Sequence, residues 1–522
     1  MYSSITDPIG AVWLIRKLDL SVYSPLYTVS EIGKSRMMVK DGDFTKHTYQ
    51  ARVRPSDDVM AHLVFHLKHE IVSFELLVRA FEKIDHKLIE NYINSEPTGQ
   101  YARRLGFLYE WLMDKQLSIT AIIGGNYVDV LDGEQFVVAS SSTKDTRWRV
   151  NNNIAGTPSF APVVIKTDAV KAAIEFDIKD KLDKISEEFG EDLILRSSVW
   201  ITLRESRSSF IIEGEGKKEN RIERFAAVMA EQVGKGEMPL NPKALARLQQ
   251  EIIGRSLSID TFGVRQSPVF VGESNFREKK EIVHYIAPPQ QMVDEQLQGL
   301  SEFMDKTQGQ SSIMRGAVAA FGFVYIHPLA DGNGRVHRLL INDILRRDRQ
   351  TRDPIILPIS KAIIEDGSSR KAYNQVLDTI SKAVMKSLDG QYQFKEHIRY
   401  ADGIRSNLVL NDTSQALPLW RYMDLTPHVV YLANLLQKVI TEDMPEESRY
   451  LRHYDSIREN LKNIIDMSNH DADRIIRSII DNQGVRSNKL VKEYPMLADD
   501  ELWSELVRVI HNSQTTTPKD KL

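Results

Sequence analysis

The 522-residue chain contains no cysteine. That removes disulfides, thiolate metal sites and cysteine nucleophiles together, and it fits a reducing compartment. Nothing approaches twenty uninterrupted apolar residues, so no segment reads as a membrane span. The opening MYSSITDPIGAVWLIRKLDL lacks a basic n-region, and its apolar run GAVWLI is halted by Arg16 and Lys17, which argues against a signal peptide. Internal repeats and low-complexity tracts are missing as well. The net charge of −4 contains no large excess of either sign, so wholesale coating of nucleic acid or of an anionic membrane is not expected. These absences leave a cytoplasmic protein with no membrane contact as the expectation.

What is present is an ordinary globular balance, 42% apolar and 27% charged. The length calls for roughly two to four domains. Residues 61–117 carry helical spacing, with Leu63, Leu67, Ile71, Phe74 and Leu77 recurring every three or four positions. Residues 126–165 change to short β-prone pieces and the turn-rich NNNIAGTPSFAP. Helical patterning resumes near Thr167 and runs to Phe189, where Gly190 makes a stop. From there to about Asp389 the chain reads as mostly helix with one hairpin, and beyond Gly403 as short amphipathic helices. The expected fold is mainly α in three parts: an α-rich N-terminal region with short β segments over 1–190, a helical core over 191–402, and a helical domain over 403–522. Within the last, DADRIIRSIIDNQGVRSNKLVKEYPML has the form of helix, Gly turn, helix. That form fits a winged-helix-like DNA reader with Arg486, Lys489 and Lys492 on its second helix, or a helical accessory or dimer domain.

The chemistry concentrates in HPLADGNGRVHR, residues 327–338. Gly332, Asn333 and Gly334 precede a helix whose apolar positions are Val336, Leu339, Leu340 and Ile344. A Gly-containing turn there points several N–H groups outward, the helix dipole adds positive potential, and phosphate oxygens approach without Cβ atoms in the way. Arg335 and Arg338 fall on one helical face and can reach different phosphates of one polyphosphate. Asp331 is placed to hold a Mg²⁺ carried by such phosphates. His327 can take a proton near neutral pH as a general base, whereas His337 reads as packing or surface. A calcium loop is excluded because Leu329 and His327 occupy positions that need acids, and a P-loop because no GK[ST] follows the glycines.

Two further stretches stand out. Val269 and Val271 alternate with Phe270, the charged GESNFREKKE follows, and IVHYI alternates again, which predicts a β-hairpin over about 265–289. In SSVWITLRESRSSFIIEGEGKK, Val199, Trp200, Leu203, Phe210 and Ile211 form one apolar stripe. Ser209 and Glu213 are four apart on another face, and Gly214 can end the helix, predicted over about 198–214.

Residues 327–338 resemble the signature of Fic (filamentation induced by cAMP) proteins, His-x-Phe-x-Asp/Glu-Gly-Asn-Gly-Arg-x-x-Arg. His327, Asp331, Gly332, Asn333, Gly334, Arg335 and Arg338 match, and Leu329 stands where the family usually has Phe, a swap that should loosen packing rather than remove chemistry. The resemblance covers roughly residues 195–400. It implies a mainly α-helical Fic core and transfer of AMP from MgATP to a Ser, Thr or Tyr hydroxyl of a target protein, and of the chain itself. By the same resemblance the hairpin at Val269, Phe270 and Val271 is a flap that clamps the target by main-chain pairing. Ser209, Glu213 and Gly214 would form an inhibitory motif whose glutamate pairs with Arg338, and Tyr373 would contact adenine. Transfer of another phosphate-containing group, or removal of AMP, is the alternative within the family. A nucleotide-sensing, DNA-associated regulator is the alternative outside it, and a homo-oligomer is left open.

Overall fold

The computed structural model describes residues 5–254, 259–275 and 280–514. The chain divides into two compact units: a larger one of residues 1–177, 202–352 and 356–436, and a smaller one of 178–201, 353–355 and 437–522. These divisions fall elsewhere than at 190 and 402. Residues 403–436 belong with the larger unit, and 178–201 with the smaller.

The larger unit begins with a feature that helical periodicity does not reveal. Strands Pro8–Ile9, Thr28–Gly33, Phe44–Gln50 and Met37–Asp41 lie side by side in that order, with the central pair parallel. The helices Val59–His69, Phe74–Lys83, His86–Ser95 and Gln100–Met113 follow, the first three started by side-chain caps from Asp58, Ser73 and Asp85. Their apolar faces share one core with the β-prone segment, including Trp148 and Phe136. Residues 415–426 close over this region. Arg79 donates to the Gln415 side chain and carbonyl at 2.6 and 2.8 Å, and Tyr27 donates to Asp424 at 2.6 Å.

The helix Ser312–Ile326 is apolar nearly all round and buried over almost its whole length, as a central helix must be. Packed on it is Asn333–Arg347, with Val336, Leu339, Leu340 and Ile344 buried. Strands Phe270–Asn275 and Lys280–Ile286 form the predicted antiparallel hairpin, and the second strand lies on helix Gly367–Ser387. The tip of that hairpin, 276–279, lies outside the described residues. A second hairpin, Tyr392–Arg399 with Arg405–Leu410, occupies residues read as helical or connecting. Phe270 packs edge-on against its Phe394, ring centroids 5.2 Å apart.

The predicted stretch from Thr167 to Phe189 breaks into Asp168–Ile174 and Ile178–Phe189, and the next helix runs from Glu191 to Ile212, longer than the expected 198–214 at its start. Its apolar stripe is split, with Phe210 buried and three other members exposed. Val199 is 70%, Trp200 58% and Ile211 46% exposed. The buried side includes Ile201, Thr202, Glu205, Ser206, Ser209 and Phe210.

In the smaller unit, Met444–Ile464, Asn469–Asp481, Asn488–Glu493 and Asp500–Gln514 enclose a core of Ile457, Leu461, Ile475, Ile476, Ile479 and Leu490 with Trp503 and Leu506. The second helix of the predicted pair is six residues long. Arg486 precedes it, stacked on Trp503 and paired with Asp500. Among the described residues, no helix is long and apolar enough to cross a membrane.

Candidate active site

His327 terminates the helix Ser312–Ile326 in the left-handed conformation, φ 51° and ψ 56°, which few non-glycine residues adopt. Three bonds fix it there. Its N–H donates to the Phe323 carbonyl at 2.9 Å, its own carbonyl accepts from Arg265 Nε at 2.7 Å, and Nδ1 lies 3.0 Å from the Val324 carbonyl. A carbonyl can only accept, so Nδ1 carries the proton and Nε2 keeps its lone pair. Burial, reinforced by the Arg265 charge, pushes the imidazole pKa down to about 4 against a smaller upward pull from Glu213. At neutral pH the ring is unprotonated, the state a general base needs.

The turn that follows is locked from inside. Gly332 sits at φ 95°, where a side chain is strained, and caps the helix that starts at Asn333. The helix thus begins one residue after Gly332, and Asn333 and Gly334 belong to its first turn rather than preceding it. The Asn333 side chain accepts from the Leu329 N–H at 2.9 Å and donates to the Leu329 carbonyl at 2.7 Å. It therefore shapes the loop and does not offer its amide to a ligand. Leu329, fully buried, fills the place expected for an aromatic.

Beside this turn lies a cleft of about 530 Å³, lined by His327, Gly334, Arg338, Tyr373 and Glu213, with Val271 and Glu273 from the hairpin. Asp331, Gly332, Asn333 and Arg335 are not among its lining residues. Arg338 is buried and turned toward the end of helix Glu191–Ile212. Its Nε donates to Ser209 Oγ at 3.0 Å, and its Nη2 to the Ser209 carbonyl at 3.1 Å and to Glu213 Oε1 at 2.8 Å. The pair with Glu213 uses one carboxylate oxygen, because the guanidinium is shared with Ser209.

Glu213 is the residue just past the helix end. Gly214, φ 73°, donates to the Ile211 carbonyl at 3.0 Å and Glu215 to the Phe210 carbonyl at 2.8 Å, the paired bonds of a Schellman stop. A carboxylate at a helix C-terminus meets the wrong end of the dipole. Burial also raises its pKa, yet Arg338, with Arg335 and His327, outweighs this and holds it below the ordinary glutamate range. Gly334 explains how Glu213 comes so close, since a Cβ there would stand 2.1 Å from Glu213 Oε1. An anion thus already lies against the N-terminal turn of the motif helix, and it is the protein's own.

The residues 239–345 match the family model described as the Fic/DOC family. The chain carries a Fic/DOC-family domain. It is similar to protein adenylyltransferase fic-1 of Caenorhabditis briggsae, 29% identical over 117 residues that make up 22% of this chain and 20% of that protein. The corresponding protein of Caenorhabditis elegans is 27% identical over 117 residues, with the same coverage. The match therefore spans about a fifth of the length of these relatives. Among solved structures, a Fic family protein from Desulfovibrio desulfuricans aligns at a TM-score of 0.35 and 18% identity, over 54% of this chain and 76% of that one. A Fic domain-containing signalling protein from Bacteroides thetaiotaomicron gives 0.31 and 13%, over 54% and 96%.

In this Fic domain Asp331 is half exposed and accepts from Arg335 Nη2 at 2.8 Å. Among the described residues no group of three or more His, Asp or Glu could hold a metal alone. A lone accessible carboxylate is nevertheless what a phosphate-borne Mg²⁺ uses, since that ion keeps waters and substrate oxygens for its other positions. Tyr373 is buried, its ring about equidistant from His337 and Tyr431, at 6.2 Å from each. It reaches the cleft as a neighbour of Arg338 and Glu213. His337 is packing, its Nδ1 2.8 Å from the Ala320 carbonyl.

Several residues that position the site carry no local signal. Gln249 donates to the Asp331 carbonyl at 2.9 Å and accepts from the Gly263 N–H at 2.7 Å. Asp402, from the turn of the second hairpin, accepts from the Gln266 and Ser267 N–H groups at 2.7 and 3.0 Å and from Ser267 Oγ at 2.8 Å. Glu205, fully buried two turns before Glu213, accepts from the Ser360 N–H at 2.6 Å, tying the helix to the start of Ile359–Ile364. Burial raises its pKa to about 7. Such partners lie tens of residues or more apart in sequence.

Proposed function

We propose that this protein is an adenylyltransferase that moves AMP from MgATP to a Ser, Thr or Tyr hydroxyl of a target protein and of itself. In the state described here it is self-inhibited by Glu213. One observation carries the reading: His327 lines the same cleft as Arg338 and Gly334 of the motif helix, and the Glu213 carboxylate lies against both of the latter. The cleft is within the size range of nucleotide and cofactor sites.

The hydroxyl gives its proton to His327 Nε2 as its oxygen bonds to the α-phosphorus. The bond from that phosphorus to the bridging oxygen breaks, and diphosphate leaves with the electron pair. Arg338 and Arg335 would receive the leaving phosphates, and the first N–H groups of the motif helix would face the charge that develops. Asp331 would hold Mg²⁺, which supplies charge neutralisation on the phosphates. While Glu213 occupies Arg338, the phosphates lose that anchor, and misalignment for in-line attack is costly in rate. The target would dock as a strand along the hairpin, where Val271 is 41% and Ile282 46% exposed.

The test is intact mass of wild type and Glu213→Gly after incubation with MgATP. Addition of one AMP per modified hydroxyl, much faster in the variant, is the expected result. Addition of a phosphate alone, or no adduct in either protein, would overturn the reading.

A further inference from the structure

Arg265 is almost completely buried and, among the described residues, meets no carboxylate within ion-pair distance. Among the described residues its side-chain hydrogen bonds all go to carbonyls: Nε donates to His327 at 2.7 Å, Nη1 to Ser267 at 2.8 Å and Nη2 to Pro288 at 2.6 Å. Ser267 precedes the first strand of the hairpin and Pro288 follows the second. Its own N–H donates to the Pro328 carbonyl at 2.8 Å, and Val264 bridges to Leu329. Burying a guanidinium against neutral acceptors is expensive, and packing alone would be met more cheaply by an apolar side chain. What the charge provides is a rigid planar fork that ties three separate backbone points together.

We propose that Arg265 is a positioning residue that fixes His327 relative to both feet of the hairpin, so that a hydroxyl presented by a strand docked there meets Nε2 at bonding distance. This rests on the transfer reaction proposed above. Arg265 touches neither nucleotide nor target. Its effect is on the alignment of base and acceptor, where a displacement of about 1 Å costs on the order of 10²-fold.

The experiment uses the full chain in the Glu213→Gly background, so that transfer is measurable. If that background is inactive, the transfer reading fails and not this one. Arg265→Lys keeps the charge but replaces the fork by a single point donor. It should lower kcat by at least about tenfold while leaving the KM for ATP and the unfolding temperature near their starting values. Arg265→Met, which removes all three bonds, should lower kcat further, on the order of 10²-fold. Undiminished kcat in Arg265→Lys would overturn the proposal. So would a KM for ATP that rises in step with the loss, or a fall in unfolding temperature large enough to account for it.

A separate observation concerns Arg335. Its guanidinium lies over the Phe210 ring, 4.8 Å from the centroid, and its Nη1 is 3.3 Å from Glu215 Oε2. That contact lacks hydrogen-bond geometry, and among the described residues Arg335 Nε and Nη1 have no hydrogen-bond partner although buried. The geometry points to Glu215 as a second inhibitory acid, one that draws Arg335 toward the turn as Glu213 draws Arg338. Glu213→Gly would then release only half of the phosphate anchor. Adding Glu215→Gln to Glu213→Gly should raise transfer several-fold further and lower the KM for ATP. Equal or slower transfer by the double variant would mean that Glu215 is neutral or holds Arg335 productively, and the proposal would fall.

Discussion

The two sides of the cleft are built to different standards. On the motif side, His327, Leu329 and Asn333 are tied by main-chain and side-chain bonds, Arg265 and Gln249 brace the loop from distant segments, and Asp402 holds the residues next to Arg265. On the other side, Glu213 stands past the end of a helix on an αL glycine, its side chain 34% exposed, engaging Arg338 through one oxygen. His327 is thus held by three bonds to backbone carbonyls and Arg265, whereas the carboxylate on Arg338 stands on a helix-end turn; in the proposed mechanism the first is the base and the second the part that must be displaced. Catalysis needs fixed geometry and control needs a displaceable part. In the proposed mechanism the two fall to separate elements.

Breaking the fixed side should have the largest consequences. In the Glu213→Gly background, His327→Ala should lower transfer by about 10²- to 10⁴-fold with ATP affinity nearly unchanged, because the imidazole handles the proton and other groups hold the phosphates. Transfer assays paired with nucleotide titration check this, and retained turnover would remove His327 from the role of base. Asn333→Ala comes next. It strands the Leu329 N–H and carbonyl in a buried loop and should cost about 2–4 kcal/mol of stability, read by denaturant unfolding. A change within about 0.5 kcal/mol would show that the loop holds itself without the asparagine.

Glu205 sharpens the comparison from the other side, because it belongs to the helix that ends at the turn of Glu213. Its pKa is raised to about 7 from an ordinary 4.5. A raised carboxyl favours the protonated fold, so its contribution is full below the unfolded pKa and disappears as pH rises through 7. Between pH 5 and 8, wild type should lose about 2–3 kcal/mol relative to Glu205→Gln in paired unfolding curves. Parallel curves would contradict this. The smallest effect expected is on the pH profile. With His327 depressed to about 4, kcat/KM of the Glu213→Gly variant should be nearly flat from pH 5 to 7 on the acid side. A limb near 6.5 would place the base in an ordinary solvated setting.

The motif was legible in the sequence because its chemistry is compressed into twelve positions whose spacing fixes which groups share a helix face. Ser209 and Glu213 were legible for the same reason. Periodicity failed where burial and polarity part company. Of the stripe, Val199, Trp200 and Ile211 are exposed and Phe210 is buried, while Glu205 and Ser209 go inside because what they meet there is polar. The parallel pairing of Thr28–Gly33 with Phe44–Gln50 and the second hairpin depend on contacts between strands rather than on any pattern within one. Arg265 shows the limit most clearly. Nothing in its neighbourhood in sequence says that its side chain will grip a carbonyl sixty-two positions away.

The central claim of the proposed mechanism is that a competent site is held off by the Glu213 carboxylate on Arg338. The most direct measurement is label transfer from ATP carrying ³²P in the α-phosphate, comparing wild type, Glu213→Gly and Glu213→Gly with Arg338→Ala. A large rise in self-labelling for the single variant, cancelled in the double, is the predicted result. Equal labelling of wild type and Glu213→Gly would contradict it and reduce Glu213 to a residue that merely ends a helix.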